Sequence, residues 1–420
     1  MIKTIDTGVF SEIGELEGVI LHTPGKEVEN MTPSNAERAL YSDILNLSVA
    51  VEEYRQFAGV LETVTPTYQV KDLLAEILEQ PKIKLSLIEK ICTYEQVLNI
   101  KEDLLALPAP ELARQLIEGV SQKTDSLTTF LSDDRYSLRP LHNFFFTRDA
   151  SVSMYDKVLI SKMANKVRER EAMVMEAIFN HSDRFRTQTV NPLNFYNVGV
   201  ESMIEGGDVH IAREDVLVIG NSARTSSQGI DFIVNQLKQR KERQYVVVQQ
   251  LPSQPESFIH LDMVFTFLDR DACMVYEPLI MKDSRYSTIL ITVDNGEVAS
   301  IEKKSNLVSC LKELGMDMKP IYCGGSGDIW TQEREQWHSG ANFFAMAPGK
   351  VLGYARNVHT MEEMNKHGFE ILKANDVISG EVKVADYDKC VVTIGGSELS
   401  RGGGGARCMS MPVRRKPVSW

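Results

Sequence analysis

The spacing of apolar residues divides the chain into an opening strand, a helical stretch and a long region where strands and helices alternate. The apolar run in EGVILHTPG predicts a buried strand from Gly18 to Pro24, which a Pro-Gly turn closes. In the following string TPSNAERAL, Ser34 and Glu37 have the spacing of a capping box. We therefore expect a helix to begin there and to run, with interruptions, to about Val60.

The stretch from about residue 70 to about residue 135 has a helical pattern only. Leucine and isoleucine recur at helical spacing in KDLLAEILEQ, PKIKLSLIEKICTYEQVLNI and ELARQLIEGV, and prolines separate these strings. The pattern predicts several short helices and no strands. We interpret the stretch as an all-helical insertion in a single domain that spans residues 1–420.

From Leu138 onward, the chain repeats one plan of a strand, a turn, a second strand and an amphipathic helix. The plan occurs in the segments that begin at Asp156, Glu214 and Gly349, each preceded by another β-like run: Ser151–Tyr155, Val209–Ala212 and Asn342–Ala347. A fourth copy is indicated around MVFTFLDRDACMVYEPLI, with the strand Tyr245–Gln250 before it. This recurrence favours a repeated α/β module, with ordinary α/β alternation as the alternative. If the modules repeat, equivalent loops gather at one end of a common axis.

Composition and charge narrow the class of partner. The chain has 420 residues, of which 43% are hydrophobic and 25% are charged, so it can bury a sizeable core. Its net charge is −12 and it has no dense run of lysine and arginine, which argues against nucleic acid as a partner. An acidic surface is compatible with a small cationic substrate.

The expected location is the cytoplasm. The opening residues lack the apolar core of a signal peptide, and no apolar run approaches the roughly 20 residues that span a bilayer. The six cysteines lie far apart and include no CxxC pair, which is typical of free thiols in a reducing compartment. We expect neither a membrane nor a disulfide framework.

Four short polar strings carry the candidate chemistry. They are FTRDA with Asp149, EGGDVH with Glu205 and Asp208, HLDMVFTFLD with His260 and Asp262, and RGGGGARCMSMP with Cys408. The first three occupy the same place in successive modules, directly before a predicted strand. Residues at equivalent ends of symmetric units converge, so we expect these side chains to share one pocket.

Taken singly, the carboxylates have ordinary structural explanations. Asp149 can cap a strand edge or pair with Arg148, and the glycines between Glu205 and Asp208 can form a plain hairpin turn.

The histidine and cysteine strings carry more information. His260 and Asp262 lie two residues apart, so on a strand their side chains face the same way. A lone cysteine is usually a small buried hydrophobe. Cys408 differs because the glycines Gly402 to Gly405 allow backbone to approach a ligand and the adjoining Arg407 favours the thiolate.

The set of one cysteine, one histidine and several carboxylates fits nucleophilic attack on a cation better than metal binding. The chain has no H-E-x-x-H string, and a soft thiolate beside hard carboxylates suits few metals. Carboxylates can hold the plane of a guanidinium by paired hydrogen bonds while a cysteine adds to its central carbon. A histidine then protonates the departing ammonia and activates water. We expect no metal.

In this order, the strings LHTPGKEVENMTPSN, FTRD, EGGD, HLD and GGARCMSMP resemble those of bacterial arginine deiminases along nearly the whole chain. The resemblance implies a five-bladed pseudo-symmetric α/β propeller of ββαβ modules with a helical insertion. It implies hydrolysis of L-arginine to L-citrulline and ammonia through a covalent amidino-cysteine intermediate, without a cofactor. It also suggests a homo-oligomer, a dimer or larger.

Roles carried over by motif fall on five catalytic positions. They are Cys408 as the nucleophile, His260 as the general acid and base, Asp149 and Asp262 as the carboxylates that grip the guanidinium, and Glu205 as an assistant to His260. Substrate-binding residues implied in the same way are Asn143, Phe146 and Arg168 around FTRD, Arg224 for the substrate carboxylate, Leu40 at the closed pocket, and Gly402 in the glycine run.

The arginine that closes over the substrate is left open between two positions. Many members of the family carry it inside the glycine loop, a few residues before the cysteine. Here Arg401 lies seven residues before Cys408 and Arg407 lies directly before it.

Two other functions remain as alternatives to arginine deimination. One is hydrolysis of a methylated arginine, or amidino transfer, by a related enzyme. The other is a catalytically inactive scaffold. The helical insertion and the EGGD, HLD and Cys408 set favour the deiminase.

Overall fold

A computed structural model describes residues 4–195, 199, 201–282 and 284–420, and these residues form a mixed α/β fold. Five sheets in this part of the chain share a plan, in which a first strand runs antiparallel to a second and the second runs parallel to another. We number these sheets I to V and give for each the first, the second and the parallel strand. Sheet I has Met411–Arg415, Leu16–Leu21 and Thr67–Gln69; sheet II has Ser151–Met154, Lys157–Ile160 and Gln188–Val190; and sheet III has Val209–Arg213, Val216–Asn221 and Gln244–Gln250. Sheet IV has Phe265–Asp269, Ala272–Val275 and Lys319–Tyr322, and sheet V has Phe344–Ala347, Lys350–Tyr354 and Cys390–Ile394.

A helix follows the second strand of each sheet before the chain reaches the parallel strand. These helices are Leu47–Val64, Glu169–His181, Ser227–Leu237, Leu307–Glu313 and Val358–Lys366, for sheets I to V in turn. The second strands of sheets II to V are paired on both sides and covered by helices, so they are almost wholly apolar. The three repeated segments predicted from periodicity therefore occur as strand, strand and helix.

Two departures from the repeat involve pairing over long sequence distances. The string predicted as the fourth copy forms the first two strands of sheet IV, but the strand expected before it, observed as Gln244–Gln250, belongs to sheet III. The hairpin that follows the string, Thr288–Asp294 and Glu297–Lys304, also extends sheet III instead of sheet IV. Sheet I is assembled from both ends of the chain, since Met411–Arg415 pairs with Leu16–Leu21. A further strand, Glu370–Lys373, lies at the edge of sheet V.

Helices dominate residues 70–130. They are Val70–Leu78, Pro81–Glu95, Lys101–Ala106, Ala109–Glu118 and Leu127–Phe130. Their apolar faces join helix Glu169–His181 and the strand Met411–Arg415 in one hydrophobic cluster. The expectation of no strands here is wrong, because Val120–Ser121 pairs with Tyr136–Leu138 and closes the loop between them.

The first 60 residues also differ from the expected boundaries. The opening strand is Leu16–Leu21, five residues of which are buried, so it ends before the Pro-Gly turn. The capping box is formed by Thr32 and Asn35, because the Thr32 N–H donates to Asn35 Oδ1 at 2.8 Å and Pro33 occupies the first helical position. That helix ends at Ala36, and Leu47–Val64 is a separate helix.

The other described elements are short. The helices are Lys26–Glu29, Thr147–Ala150, Glu277–Ile280, Ile329–Trp337 and Ala374–Ile378, and the strands Ile5–Asp6 and Phe185–Arg186 form a parallel pair. Among the described residues, no helix has both the length and the apolar character needed to cross a bilayer.

The loop that leads into the glycine run is held by one buried carboxylate, Glu53 of helix Leu47–Val64. Its two oxygens accept hydrogen bonds from the backbone N–H groups of Ser397, at 2.8 Å, and Leu399, at 2.8 Å. The N–H of Glu398 donates to the same carboxylate. Helix Leu47–Val64 therefore fixes the start of the loop on which Cys408 lies.

We predict that Glu53→Ala lowers the free energy of unfolding by about 3 kcal/mol, because three backbone donors lose their acceptor. Urea denaturation of the purified protein measures this. Glu52→Ala is the matched control, since Glu52 lies on the same helix with 68% of its side chain exposed and pairs only with Arg55 at the surface. Equal losses in the two variants would contradict the anchoring role.

Candidate active site

All five sheets present a polar side chain directly before their first strand. Asp149 precedes sheet II, Glu205 and Asp208 precede sheet III, and Asp262 and His260 precede sheet IV. Cys408 precedes the first strand of sheet I, and Asn342 precedes that of sheet V. The structure brings the five predicted catalytic residues together in one buried cluster.

His260 and Asp262 of the HLD string do not lie on a strand, although their spacing predicts one. Leu261–Met263 is a single 3₁₀ turn that His260 precedes, and sheet IV begins only at Phe265. The turn is held by Asp208, whose Oδ1 accepts from the Leu261 N–H at 2.8 Å. As a result, His260 faces Glu205 while Asp262 faces Cys408.

His260 is completely buried between two carboxylates. Its Nε2 lies 2.9 Å from Glu205 Oε2, and its Nδ1 lies 3.6 Å from Asp149 Oδ1. Burial alone lowers the pKa of His260, but Asp149, Glu205 and Asp208 outweigh it and raise the pKa to about 9. The imidazole is therefore a cation at neutral pH and can act as an acid.

Glu205 is ionised because the cations around it outweigh the effect of burial. Burial favours its neutral form, but the cations of Arg224, His260 and Arg168 outweigh burial and hold the pKa of Glu205 below its usual range. Its Oε1 also accepts from the Ala164 N–H at 3.0 Å.

Asp149 pairs with Arg168 and not with its neighbour Arg148. Arg168 Nη1 lies 2.8 Å from Asp149 Oδ2, and the same guanidinium contacts Glu171 at 2.8 Å and Glu205 at 3.9 Å. An internal guanidinium thus occupies the carboxylate that the motif assigns to the substrate.

The thiol of Cys408 lies between two side chains from other sheets. Its Sγ is 3.5 Å from Asp262 Oδ2, to which the S–H donates, and 3.1 Å from Asn342 Nδ2, from which it accepts. Burial raises the pKa of Cys408 well above its usual value, and the negative charges of Asp262 and Asp149 raise it further. A backbone hydrogen bond at Gly405 and the cation of Arg407 only partly offset this rise in the pKa, so the expected thiolate is not favoured in this state.

Arg407 is a buried cross-link, with no contact to the cleft. Its guanidinium binds both oxygens of Glu12 at 3.0 and 3.1 Å and Asp262 Oδ2 at 3.0 Å. It also donates to the backbone carbonyls of Gly207 and Val209.

A cleft of about 240 Å³ is lined by four of the predicted substrate-binding residues: Leu40, Arg224, Arg401 and Gly402. The five predicted catalytic residues do not line it, and the cleft reaches their cluster through Arg224, whose Nη1 lies 3.4 Å from Glu205 Oε2. Arg401 lies at its rim, with 40% of its side chain exposed, and pairs with Asp43 and Glu398. Leu40 has a φ of 66°, a strained conformation for a residue with a side chain. The strain lies at the opening of the cleft.

The other predicted binding residues lie below the cleft. Phe146 packs under the glycine run, where a Cβ on Gly404 would lie 2.5 Å from its ring, so only glycine fits. The Asn143 side-chain amide donates to the Ala39 carbonyl at 2.7 Å, and the backbone carbonyl of Asn143 accepts from Arg168. Both residues connect the glycine run and the Leu40 segment to the buried cluster.

Among the described residues, Asp149, Glu205 and His260 form one group whose ligand atoms lie within 4.8 Å of one another. These atoms already hold the Arg168 guanidinium and the His260 proton. A metal ion would have to displace both cations, so the donor set favours a guanidinium. The absence of a metal remains a prediction.

Sequence reasoning missed three side chains of the site. Glu12 neutralises Arg407, Glu171 neutralises Arg168, and Asn342 contacts Cys408. Only Asn342 carried a usable signal, because it begins the β-like run of the third repeated segment and so occupies the position held by acidic residues elsewhere.

Comparison with known proteins agrees with this geometry. The arginine deiminase family model matches residues 37–415. The arginine deiminase of Bacillus cereus (strain ATCC 10987 / NRS 248) is 36% identical over 430 residues, covering 98% of each chain. That of Oenococcus oeni (strain ATCC BAA-331 / PSU-1) is 32% identical over 426 residues, covering 98% of this chain and 97% of the relative.

Solved structures share the fold at low sequence identity. An amidinotransferase from Microseira wollei matches with a TM-score of 0.54 at 13% identity, covering 99% of this chain and 98% of that one. The N-terminal domain of a cyanobacterial arginine dihydrolase matches with a TM-score of 0.52 at 13% identity, covering 96% and 99%. The chain thus has the fold of this amidinotransferase and this arginine dihydrolase. The family model and the relatives show that it belongs to the arginine deiminase family, and the resemblance inferred from its motifs is confirmed.

The raised pKa of His260 predicts a pH-dependent contribution to stability. The folded state holds the imidazole proton up to a pH of about 9, whereas the unfolded chain loses it near the usual histidine pKa of 6.5. The stabilisation is therefore complete below pH 6.5 and is lost as the pH rises through 9. Urea unfolding of wild type and His260→Gln across this range should show their difference changing by on the order of 3 kcal/mol.

His359→Gln is the control for that series, because it alters an exposed histidine on helix Val358–Lys366. Its unfolding profile should run parallel to that of wild type. A constant difference between wild type and His260→Gln would mean that His260 is neutral in the folded protein.

Proposed function

We propose that this chain hydrolyses L-arginine to L-citrulline and ammonia, with Cys408 as the nucleophile. The observation that carries the proposal is the buried cluster in which Cys408, His260 and three carboxylates meet beneath a cleft lined by Arg224. A cation-binding cluster beside a nucleophile suits the guanidinium carbon, and the family relationship points to arginine.

The first half of the reaction joins sulfur to the guanidinium carbon. Asp149 and Asp262 hold the guanidinium by charge-assisted hydrogen bonds. The Cys408 proton passes to Asp262, its nearest acceptor, whose pKa burial raises despite Arg407. Sulfur then bonds to the carbon, and protonated His260 gives its proton to the departing nitrogen, which leaves as ammonia. The product of this half is the amidino-cysteine cation.

The second half restores the enzyme. Neutral His260 takes a proton from water as the water oxygen bonds to the amidino carbon. The carbon–sulfur bond then breaks, citrulline leaves with the new oxygen, and Asp262 returns its proton to Cys408. The remaining proton, from the new hydroxyl, passes to solvent, where the ammonia released in the first half takes it up as ammonium. Glu205 stabilises the His260 cation at the start and the end of the cycle.

Binding of the substrate exchanges one guanidinium for another. Because Arg168 occupies Asp149 in the structure, the substrate displaces it, and the freed Arg168 remains paired with Glu171. The incoming cation also adds positive charge beside the Cys408 sulfur, which favours the thiolate at the moment it is needed.

The substrate carboxylate lies towards the cleft opening in this proposal. Arg224 is the cation of the cleft lining that contacts the cluster, Leu40 and Gly402 line the cleft, and Asn143 and Phe146 support these two residues from below. Between the two arginines left open by the sequence, Arg401 is the one that closes over the substrate, because it lies at the rim and Arg407 is fully engaged below.

We also propose the propeller implied by the resemblance. Sheets I and II contact each other through Met411–Arg415 and Ser151–Met154, and sheets II and III share one hydrophobic cluster. Sheets III, IV and V share another cluster, and sheet V contacts helix Leu47–Val64 of sheet I, which supports five modules around one axis. The shared cluster of the 70–118 helices with sheet I supports one catalytic domain over residues 1–420 with a helical insertion.

A cytoplasmic homo-oligomer that needs no cofactor completes the proposal. The six cysteines are all free thiols, which supports a reducing compartment.

We predict that the purified chain forms citrulline from arginine and that Cys408→Ala lowers kcat by at least about a thousandfold, because the nucleophile is lost. Colorimetric detection of citrulline measures this. Cys92→Ala is the matched control, since it removes a buried thiol of helix Pro81–Glu95 and should retain activity.

Assays with other guanidino compounds distinguish arginine deimination from hydrolysis of methylarginine or amidino transfer. A wild-type chain that forms no citrulline from arginine, yet acts on methylarginine or transfers the amidino group to an amine, would establish the related activity. No turnover of any of these would favour the inactive scaffold.

We further predict that Arg224→Ala lowers kcat/KM for arginine by about tenfold more than for agmatine, which lacks the carboxylate. Agmatine is the internal control, because Arg224 also lies 3.4 Å from Glu205 and its loss affects both substrates there. Equal decreases would remove Arg224 from carboxylate recognition.

A further inference from the structure

Asn342 occupies the catalytic position of sheet V. In the other four sheets, the residues directly before the first strand are the nucleophile, the histidine and the carboxylates of the proposed site. Asn342 lies in the same place before Phe344–Ala347 and is buried. The fifth module therefore contributes a neutral amide where the others contribute reactive or charged groups.

The nitrogen and the oxygen of the Asn342 side-chain amide both form hydrogen bonds with Cys408. Nδ2 donates to Cys408 Sγ at 3.1 Å and to the Asp262 carbonyl at 3.1 Å. Oδ1 accepts from the backbone N–H groups of Arg407, at 2.9 Å, and Cys408, at 3.3 Å. These bonds fix which atom faces the sulfur, because the backbone donors can pair only with the amide oxygen.

The glycine run is shaped to this contact. A Cβ on Gly405 would lie 2.7 Å from Asn342 Cβ, so a larger residue there would push the amide away from the sulfur. The loop can therefore bring Cys408 against Asn342 only with glycine at position 405.

We propose that Asn342 is a catalytic residue whose side-chain N–H stabilises the Cys408 thiolate and aims its sulfur at the substrate carbon. This inference rests on the proposed role of Cys408 as the nucleophile. The donor acts when the S–H proton leaves for Asp262, because a charged sulfur accepts a hydrogen bond more strongly than a neutral one.

The donor is needed because most charge around the sulfur opposes ionisation. Asp262 and Asp149 face it from sheets IV and II with negative charge, and Tyr354 from sheet V is a neutral phenol. Arg407, on the same segment as Cys408, is the opposing cation, and its charge is shared with Glu12 and Asp262. Asn342 offers stabilisation that no carboxylate neutralises.

The test is the pH dependence of alkylation of Cys408 by iodoacetamide, which reacts with the thiolate. Mass spectrometry of the Cys408 peptide separates this thiol from the other five. We expect Asn342→Ala and Asn342→Ser to raise the midpoint by about one pH unit and to slow alkylation about tenfold below it, the effect of losing a hydrogen bond to a charged group.

Asn357→Ala is the matched control. Asn357 is a buried asparagine just after strand Lys350–Tyr354 of the same sheet, and its amide donates to the His338 carbonyl away from Cys408. Its midpoint should equal that of wild type. A folded Asn342 variant with an unchanged midpoint, or a shift equal to that of Asn357→Ala, would overturn the proposal.

If Asn342→Ala and Asn342→Ser both unfold, the wild-type chain still tests whether Asn342 stabilises the Cys408 thiolate. The side-chain amide resonance of Asn342 must then shift with the alkylation midpoint in NMR and stay constant in Cys408→Ala, and a constant resonance in wild type would overturn the proposal. Because alkylation needs no arginine, a chain that shows the midpoint shift but forms no citrulline would refute only the proposed function.

Discussion

One buried guanidinium, that of Arg407, holds the site together. It joins the segment that carries Cys408 to Glu12 before sheet I, to Asp262 before sheet IV, and to backbone carbonyls beside the first strand of sheet III. A buried cation is tolerable only with such complete pairing, and loss of one partner leaves an uncompensated charge. The position of Cys408, the proposed nucleophile, therefore depends on a residue that does not line the cleft, and its neighbours on three sheets are fixed by the same five donors.

Charge pairing also explains how a carboxylate-rich pocket remains stable without its substrate. Arg168 neutralises Asp149 and Glu171, and protonated His260 lies against Glu205. In the proposed exchange, the guanidinium of the substrate takes the place of Arg168 at Asp149 while Arg168 keeps its pairing with Glu171, so no carboxylate of the pocket is left without a cation. An ammonium group also carries a positive charge, but it cannot form the paired, coplanar hydrogen bonds of a guanidinium. Replacement of Arg168 at Asp149 is therefore expected to be selective for guanidino compounds.

Local patterns predicted most of the elements and all five proposed catalytic positions, because strand and helix periodicities and the short polar strings are features of neighbouring residues. They did not reveal the hairpin Thr288–Lys304 in sheet III or the pairing of both chain ends in sheet I, which depend on contacts distant in sequence. The spacing of His260 and Asp262 was read as a strand, whereas a 3₁₀ turn held by Asp208 separates the two side chains. Asn342 and Glu12 were missed because neither residue type signals catalysis by itself.

The assembly of sheet I from both ends determines when the site can exist. A ribosome makes the chain from its N-terminus, so the carboxylates and the histidine of sheets II to IV emerge long before Cys408 and the strand Met411–Arg415. The pairing of that strand with Leu16–Leu21 holds the segment that carries Cys408, the proposed nucleophile, beside the acidic groups. Catalysis as proposed therefore requires contact between two segments almost 400 residues apart in the sequence, and a break in either one would separate the sulfur from its pocket.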